Sequence, residues 1–211
     1  MFPFDAEVLA SSYADYNAAV WPAQAVALAL ALAVLWLVVA PRPGAGRLIG
    51  AILAAAWLWV GLVFHLRYFA ALDFMAPVYG WAFIAEAALL IWVVVWRGAP
   101  LSFRADICGL AGLAVAVFAL FGLPLISGAT AAGFAAARLV GVAPGPTALF
   151  TLGLLLLAEG RGALPLMVVP LLWCAVAGIA AWALGIAEAW PLPVLGGAVL
   201  ALRLSRFRRA D

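Results

Sequence analysis

The side chains able to do chemistry in this sequence are few, and most stand inside apolar runs. Glu86 is the tenth residue of PVYGWAFIAEAALLIWVVVW, with no opposite charge within a helical turn. A carboxylate in such a setting costs several kcal/mol unless it is protonated or paired, so an acid there is by default a proton or cation carrier. His65, the only histidine, stands in GLVFHLRYFAALD. A single imidazole can relay protons near neutral pH, pair with Glu86 on the next helix, or simply pack with a hydrogen bond.

The third candidate is a backbone feature. In GVAPGPTALFTLGLLLLAEGRG, Gly141 to Gly162, the residues Pro144, Gly145 and Pro146 stand directly ahead of an apolar run. Proline lacks an N–H and clashes with the preceding helical turn, while the intervening glycine frees the backbone. A helix is therefore expected to restart at Pro146 or Thr147, with Thr147 and Thr151 one turn apart on the same face. With Glu159 and Arg161 marking the surface, Pro146 lies only about 20 Å along the axis, short of a hydrocarbon core of about 30 Å. The broken end then sits inside the membrane, where free N–H groups and a positive dipole end require protein or a water-filled cavity in front of them. Discontinuous helices of this kind frame transporter sites. Glu86, about 13 Å below the outer surface by the same rise per residue, lies at a similar depth. The alternative is a proline-capped helix start beneath a loop, residues 127–140, folded over it. Asn17 is a further polar contributor just inside the first span, and Arg67, Asp73 and Arg138 are candidates for an outer vestibule.

The elements that must position these groups follow from composition. Of 211 residues, 70% are hydrophobic and 9% charged, against about a quarter charged in soluble domains. Mean hydropathy is +1.23. The solvent is expected to be lipid, and the fold an all-α polytopic membrane domain. Cutting at Arg, Pro and Gly yields seven apolar stretches, residues 17–40, 47–71, 77–96, 105–126, 146–158, 163–184 and 188–203, most of them near the ~20 residues a crossing needs. With the N-terminus outside, Arg42, Arg47, Arg97, Arg104, Arg161, Arg203, Arg206, Arg208 and Arg209 fall inside, against Arg67 and Arg138 outside, which sets the orientation as N-out and C-in. Residues 5–16 read as a short amphipathic helix capped by Asp5, with Val8, Leu9, Tyr13 and Tyr16 to one side, lying on the outer interface. Residues 17–203 form the bundle and 204–211 a basic cytoplasmic tail, one domain without linker or repeat. Most tryptophans, such as Trp21, Trp81, Trp96 and Trp190, stand near span ends as interfacial anchors. The acidic start lacks a basic n-region, so the first span is expected to be retained. Cys108 and Cys174 stand apart and suggest neither a disulfide nor a metal cluster.

Four fragments resemble a family of bacterial multi-pass membrane proteins catalogued as a domain of unknown function: YNAAVWPAQ (Tyr16–Gln24), FHLRYFAALD (Phe64–Asp73), GVAPGPTALFTLGLLLL (Gly141–Leu157) and PLLWCAVAGIAAWALG (Pro170–Gly185). The resemblance spans nearly the whole chain and implies one compact membrane domain, without an activity. In that pattern the position of Gly145 is often cysteine and that of Asp73 asparagine, so a thiol-dependent metal role would not be carried here. Separately, PGP before an apolar run is similar to a motif of lysine-exporter-type transporters, where it belongs to the first span.

Several function classes are excluded. Retinal-binding proteins share the seven-span topology but need a lysine amine for the Schiff base, and all eleven basic residues here are arginine. One histidine cannot supply the ligand set of a zinc hydrolase or a bis-histidine haem. No Ser/His/Asp or Cys/His arrangement offers a nucleophile, which leans away from an enzyme. What remains foremost is a small-solute or ion transporter or channel of the bacterial cytoplasmic (inner) membrane, with a polar site in the outer half of the bundle and no cofactor. The second reading is a non-catalytic subunit or scaffold of a larger membrane complex. The lipid bilayer, a membrane-protein partner or a second copy are the expected partners, and nucleic acid is not.

Overall fold

The structure, a computed structural model, describes residues 4–98, 101, 103–130, 133–158 and 161–208, with only the backbone of residues 161, 207 and 208. Glu159 and Arg209 lie outside the described residues, as does the side chain of Arg161. Among the described residues the fold is entirely helical.

The chain opens on α1, Ala6–Ala19, where Asp5 Oδ1 accepts from the Val8 N–H at 2.8 Å. This is the expected cap, but the helix runs further than residue 16 and buries Tyr13 and Tyr16 against protein. It does not merge with the first apolar stretch: the chain bends by 88° and α2 occupies Ala23–Val39. The stretch read as 17–40 is thus divided, because the turn at Val20–Pro22 ends one helix and starts the next.

Four long apolar helices correspond closely to predicted spans: α3, Ala45–Ala71, α4, Ala76–Trp96, α5, Ile107–Gly128, and, after a shorter α6 at Pro144–Leu157, α7 at Pro165–Leu184. The chain ends in α8, Pro191–Arg208, whose apolar part with the preceding turn covers Ala187–Arg206. Five runs are long and apolar enough to cross a membrane, and a sixth if α1 and α2 count as one bent span.

The punctuation has local causes. Pro77 sits in the first turn of α4, where its missing N–H costs nothing. Asp106 caps α5 by accepting from the Gly109 N–H at 2.7 Å. Pro124 lies within α5, and the π-helical turn Phe118–Gly122 immediately before it absorbs the clash that a proline ring makes with the turn behind it. A longer π-helical segment, Val60–Tyr68, carries His65 in α3. Gly185, at φ +68°, closes α7 in the left-handed conformation.

Close contacts sort the two ends of the bundle. At one end α1 meets the loop before α6, with the Asn17 side-chain amide donating to Ala135 O at 2.8 Å and Ala137 O at 2.9 Å. At the other end the Phe103 N–H bonds Val38 O, and Arg203 and Arg206 reach the end of α6. The outer surface is apolar: Trp21, Trp81, Trp96 and Trp182 are each more than 60% exposed.

Candidate functional site

The site is organised by α6. All fourteen of its residues are buried, so this helix, about 21 Å long at 1.5 Å per residue, is enclosed by its neighbours along its whole length. It passes α5 with backbones nearly touching: a Cβ at Gly153 would stand 2.6 Å from Gly112 O. The helix begins at Pro144, two or three residues earlier than expected, with extended Ala143 as its cap. Both prolines therefore fall in the first turn, where an N–H has no helical partner in any case. The Thr147 N–H already bonds Ala143 O at 3.3 Å, and the Ala143 N–H bonds Leu139 O at 2.8 Å. What the helix end presents is the single N–H of Gly145.

The approach to α6 is clamped. Tyr16 donates its hydroxyl proton to Val142 O at 2.9 Å and accepts from Trp59 Nε1 at 3.0 Å. Thr147 Oγ1 accepts from the Gly141 N–H at 2.8 Å and donates to Ala143 O at 2.6 Å. Thr151 Oγ1 donates to Thr147 O at 2.8 Å and accepts from Trp57 Nε1 at 2.9 Å. The two threonines share a face as expected, but their hydroxyls are committed to holding the break together and do not face the cavity beside Gly145.

That cavity, about 90 Å³, lies between α1, α3, α4, α7 and the start of α6. By the same measure one water needs about 10–15 Å³, so it has room for several waters or one small organic molecule. His65, Asp73, Arg138 and Gly145, four of the residues singled out by sequence, line it together. His65 is 2% exposed, and neither ring nitrogen has a hydrogen-bond partner. Its ring lies among Phe64, Tyr79, Phe83 and Trp173 at centroid distances of 5.0, 5.9, 4.9 and 5.1 Å. Trp173 Nε1 is likewise without a partner. Asp73 accepts from the Met75 N–H at 2.9 Å. Arg138 lies over the Tyr13 ring at 5.0 Å and faces Glu188 at 3.7 Å.

Other candidates lie elsewhere. Glu86 is fully buried and both carboxyl oxygens lack partners, but it is not on the cavity wall and does not pair with His65. The acid and the break, read from sequence as sharing one level, are thus not brought together at this cavity. Asn17 is spent on the loop carbonyls described above, and Arg67 is exposed beside Tyr68 at 5.8 Å. The segment 133–143 is a folded loop with a 3₁₀ turn at Phe134–Ala136, packed under α1. Sequence reasoning passed over Trp173, whose position in the middle of an apolar run, away from any interface, was the available signal. It also passed over Arg203, read as a loop charge: the side chain is fully buried and donates from Nη1 to Ala158 O, joined by Arg206 Nη1 at 3.3 Å. Cations thus meet the negative end of α6.

The sequence profile of DUF6064, a family of unknown function, matches residues 6–211. The chain belongs to DUF6064. No curated protein and no solved structure matches it. Within this DUF6064 member, the cavity beside Gly145 joins four polar or backbone features drawn from four helical or loop elements.

Proposed function

We propose that this DUF6064 protein crosses the bacterial cytoplasmic membrane seven times, amino terminus outside and carboxyl terminus inside, and carries a small solute or ion through the cavity beside Gly145. The crossings are α2 to α8, with the short α6 lodged wholly within protein. Arg42, Arg47, Arg97, Arg104, Arg203 and Arg206 belong to the end away from α1, which supports assigning that end to the cytoplasm.

The observation that carries the proposal is a pair of side chains on the cavity wall, buried His65 and half-buried Trp173, whose ring nitrogens are shielded and have no protein partner. Buried polar groups are ordinarily paired because leaving them bare costs about 1–3 kcal/mol each. Groups left bare beside a cavity are therefore retained for something that enters it. Glu86 serves as the proton or cation carrier, one helical turn along α4 from Phe83, whose ring touches both His65 and Trp173.

Light-scattering measurements of proteoliposome swelling in isosmotic choline chloride, glycine or sodium acetate test this. Wild-type vesicles are expected to admit at least one of these faster than empty vesicles. His65→Phe keeps the ring and deletes its nitrogens, and Glu86→Gln removes the titrating acid. Each is expected to slow that flux about tenfold, the equivalent of ~1.4 kcal/mol. Unchanged flux in both variants would remove the cavity and the acid from the mechanism. Vesicles no more permeable than empty ones, with a stable partner recovered on gentle extraction, would make the chain a subunit of a larger complex.

A further inference from the structure

We propose that the cavity beside Gly145 is a binding site for a small organic ammonium ion, an inference that rests on reading this cavity as the solute site. Its wall combines small aliphatic side chains from α7 with a group of aromatic rings. Tyr13, Phe64, Phe69, Tyr79 and Trp173 surround it with His65. They form a continuous set: Phe64 and Phe69 stack at 4.0 Å, Tyr13 meets them at 5.3 and 5.4 Å, and Tyr79 meets Trp173 at 5.4 Å edge to face. Ring faces attract cations within about 6 Å, and most strongly where water is excluded.

The wall charges Asp73 and Arg138, taken with Glu188 behind Arg138, favour the same sign. Asp73 is 8% exposed, spends one oxygen on the Met75 N–H, and has no cationic partner among the described residues. Arg138 is the one cation on the wall, and its charge is met by Glu188 at 3.7 Å and by the Tyr13 ring. The excess over the three groups is negative. A helix start would ordinarily recruit an anion through its free N–H groups. Here Pro144 and Pro146 have none, and Gly145 offers one donor where an anion site normally presents several. The N-methyl groups of a quaternary ammonium ion can instead meet the ring faces, and a hydroxyl on the same ion can donate to a nitrogen of His65 or accept from Trp173 Nε1. Tetramethylammonium and choline are of the size the cavity can hold.

Isothermal titration of the purified full chain in detergent tests this with four probes: tetramethylammonium chloride, choline chloride, the uncharged choline isostere 3,3-dimethylbutan-1-ol, and sodium acetate. Both ammonium ions are expected to bind, choline about tenfold tighter than its isostere, since the charge adds a desolvated cation–π and carboxylate contact. Asp73→Asn keeps an oxygen for the Met75 N–H and so keeps the turn. It is expected to weaken choline about tenfold and leave the isostere unchanged. Trp173→Phe, which retains a ring, is expected to weaken choline several-fold. Equal affinity for choline and its isostere in the wild type overturns the proposal, whether or not the variants fold. Binding of acetate without choline also overturns it and leaves the cavity standing as a solute site of the opposite sign. If none of the four binds, the proposal falls. If flux is also indifferent to His65→Phe and Glu86→Gln, the reading of the cavity falls with it.

Discussion

Replacing Gly153 by alanine adds a single methyl group where α5 and α6 cross, and its cost can be worked from the backbone positions. The new Cβ would lie 2.6 Å from Gly112 O, 2.8 Å from Ala116 N and 3.1 Å from Ala116 Cβ. Even the close carbon-to-oxygen contacts between helices run at about 3.3–3.6 Å, so the helices must part by roughly 0.7 Å. No flexible side-chain end is available to yield, since the two nearest atoms belong to the backbone of α5. Nor can α6 move away, because every one of its residues is already buried against other helices. Overpacking of this kind costs about 1–3 kcal/mol, and the absence of a free side places Gly153→Ala in the upper part of that range, about 2–3 kcal/mol. For a chain of this size each kcal/mol moves the melting temperature by about 2–4 °C, so thermal unfolding in detergent should show a drop of about 4–12 °C. Gly197 on α8 supplies the control, since a Cβ there meets nothing within 4 Å. Gly197→Ala should be neutral or stabilising by up to about 1 kcal/mol through helix propensity. Equal melting temperatures for the two variants would refute the enclosed packing assigned to α6.

Two further outcomes follow from the clamps. Tyr16→Phe leaves Val142 O and the Trp59 indole N–H without their shared partner; at about 1–3 kcal/mol for each orphaned group it should lower the melting temperature clearly, and adding Trp59→Phe should recover part of the loss by removing one orphan. Asp106, outside the spans, is held below the ordinary carboxylate range first by the Gly109 N–H and then by neighbouring arginines, Arg104 foremost. Because the folded form holds the depressed value, the cap contributes fully above the unfolded value of about 4 and fades as pH falls through the folded one. Asp106→Ala should therefore melt below the wild type by about 1 kcal/mol at pH 7, with the gap closing as the solution is made more acidic than about pH 4. A gap that widened in acid would contradict the cap.

Residue types locate most of the long apolar helices because the breaks are chemical. Gly44, Asp106 and Gly185 end or begin helices by backbone conformation or side-chain capping, which single residues encode. The same holds for Asp5. What single residues could not encode is which apolar helix faces lipid. Protein interior and acyl chains have the same polarity, so the run LFTLGLLLL of α6 and the apolar run of α2 look alike, although one is wholly buried and the other largely exposed. Helix rotation is hidden for the same reason, so a shared level along the sequence could not show whether Glu86 lines the cavity beside Gly145, and it does not. Tyr16 illustrates a third gap: its hydroxyl meets a carbonyl 126 residues away, a pairing that no local pattern announces. His65, Asp73 and Arg138 were legible as candidates because each is an unusual residue for its surroundings, and the structure explains their company by joining α3, the turn after it and the loop under α1.

The enclosure of α6 bears on how the chain is made. As the ribosome releases Pro144–Leu157, the helices that will cover its remaining sides, α7 and α8, have not yet been synthesised, and the guanidinium groups that close its far end belong to residues 203 and 206. This segment therefore waits without its full cover until the last helix arrives. A chain stopped short of Pro191 would expose both a bare carbonyl end and an unfilled groove, making the C-terminal helix the keystone of biogenesis.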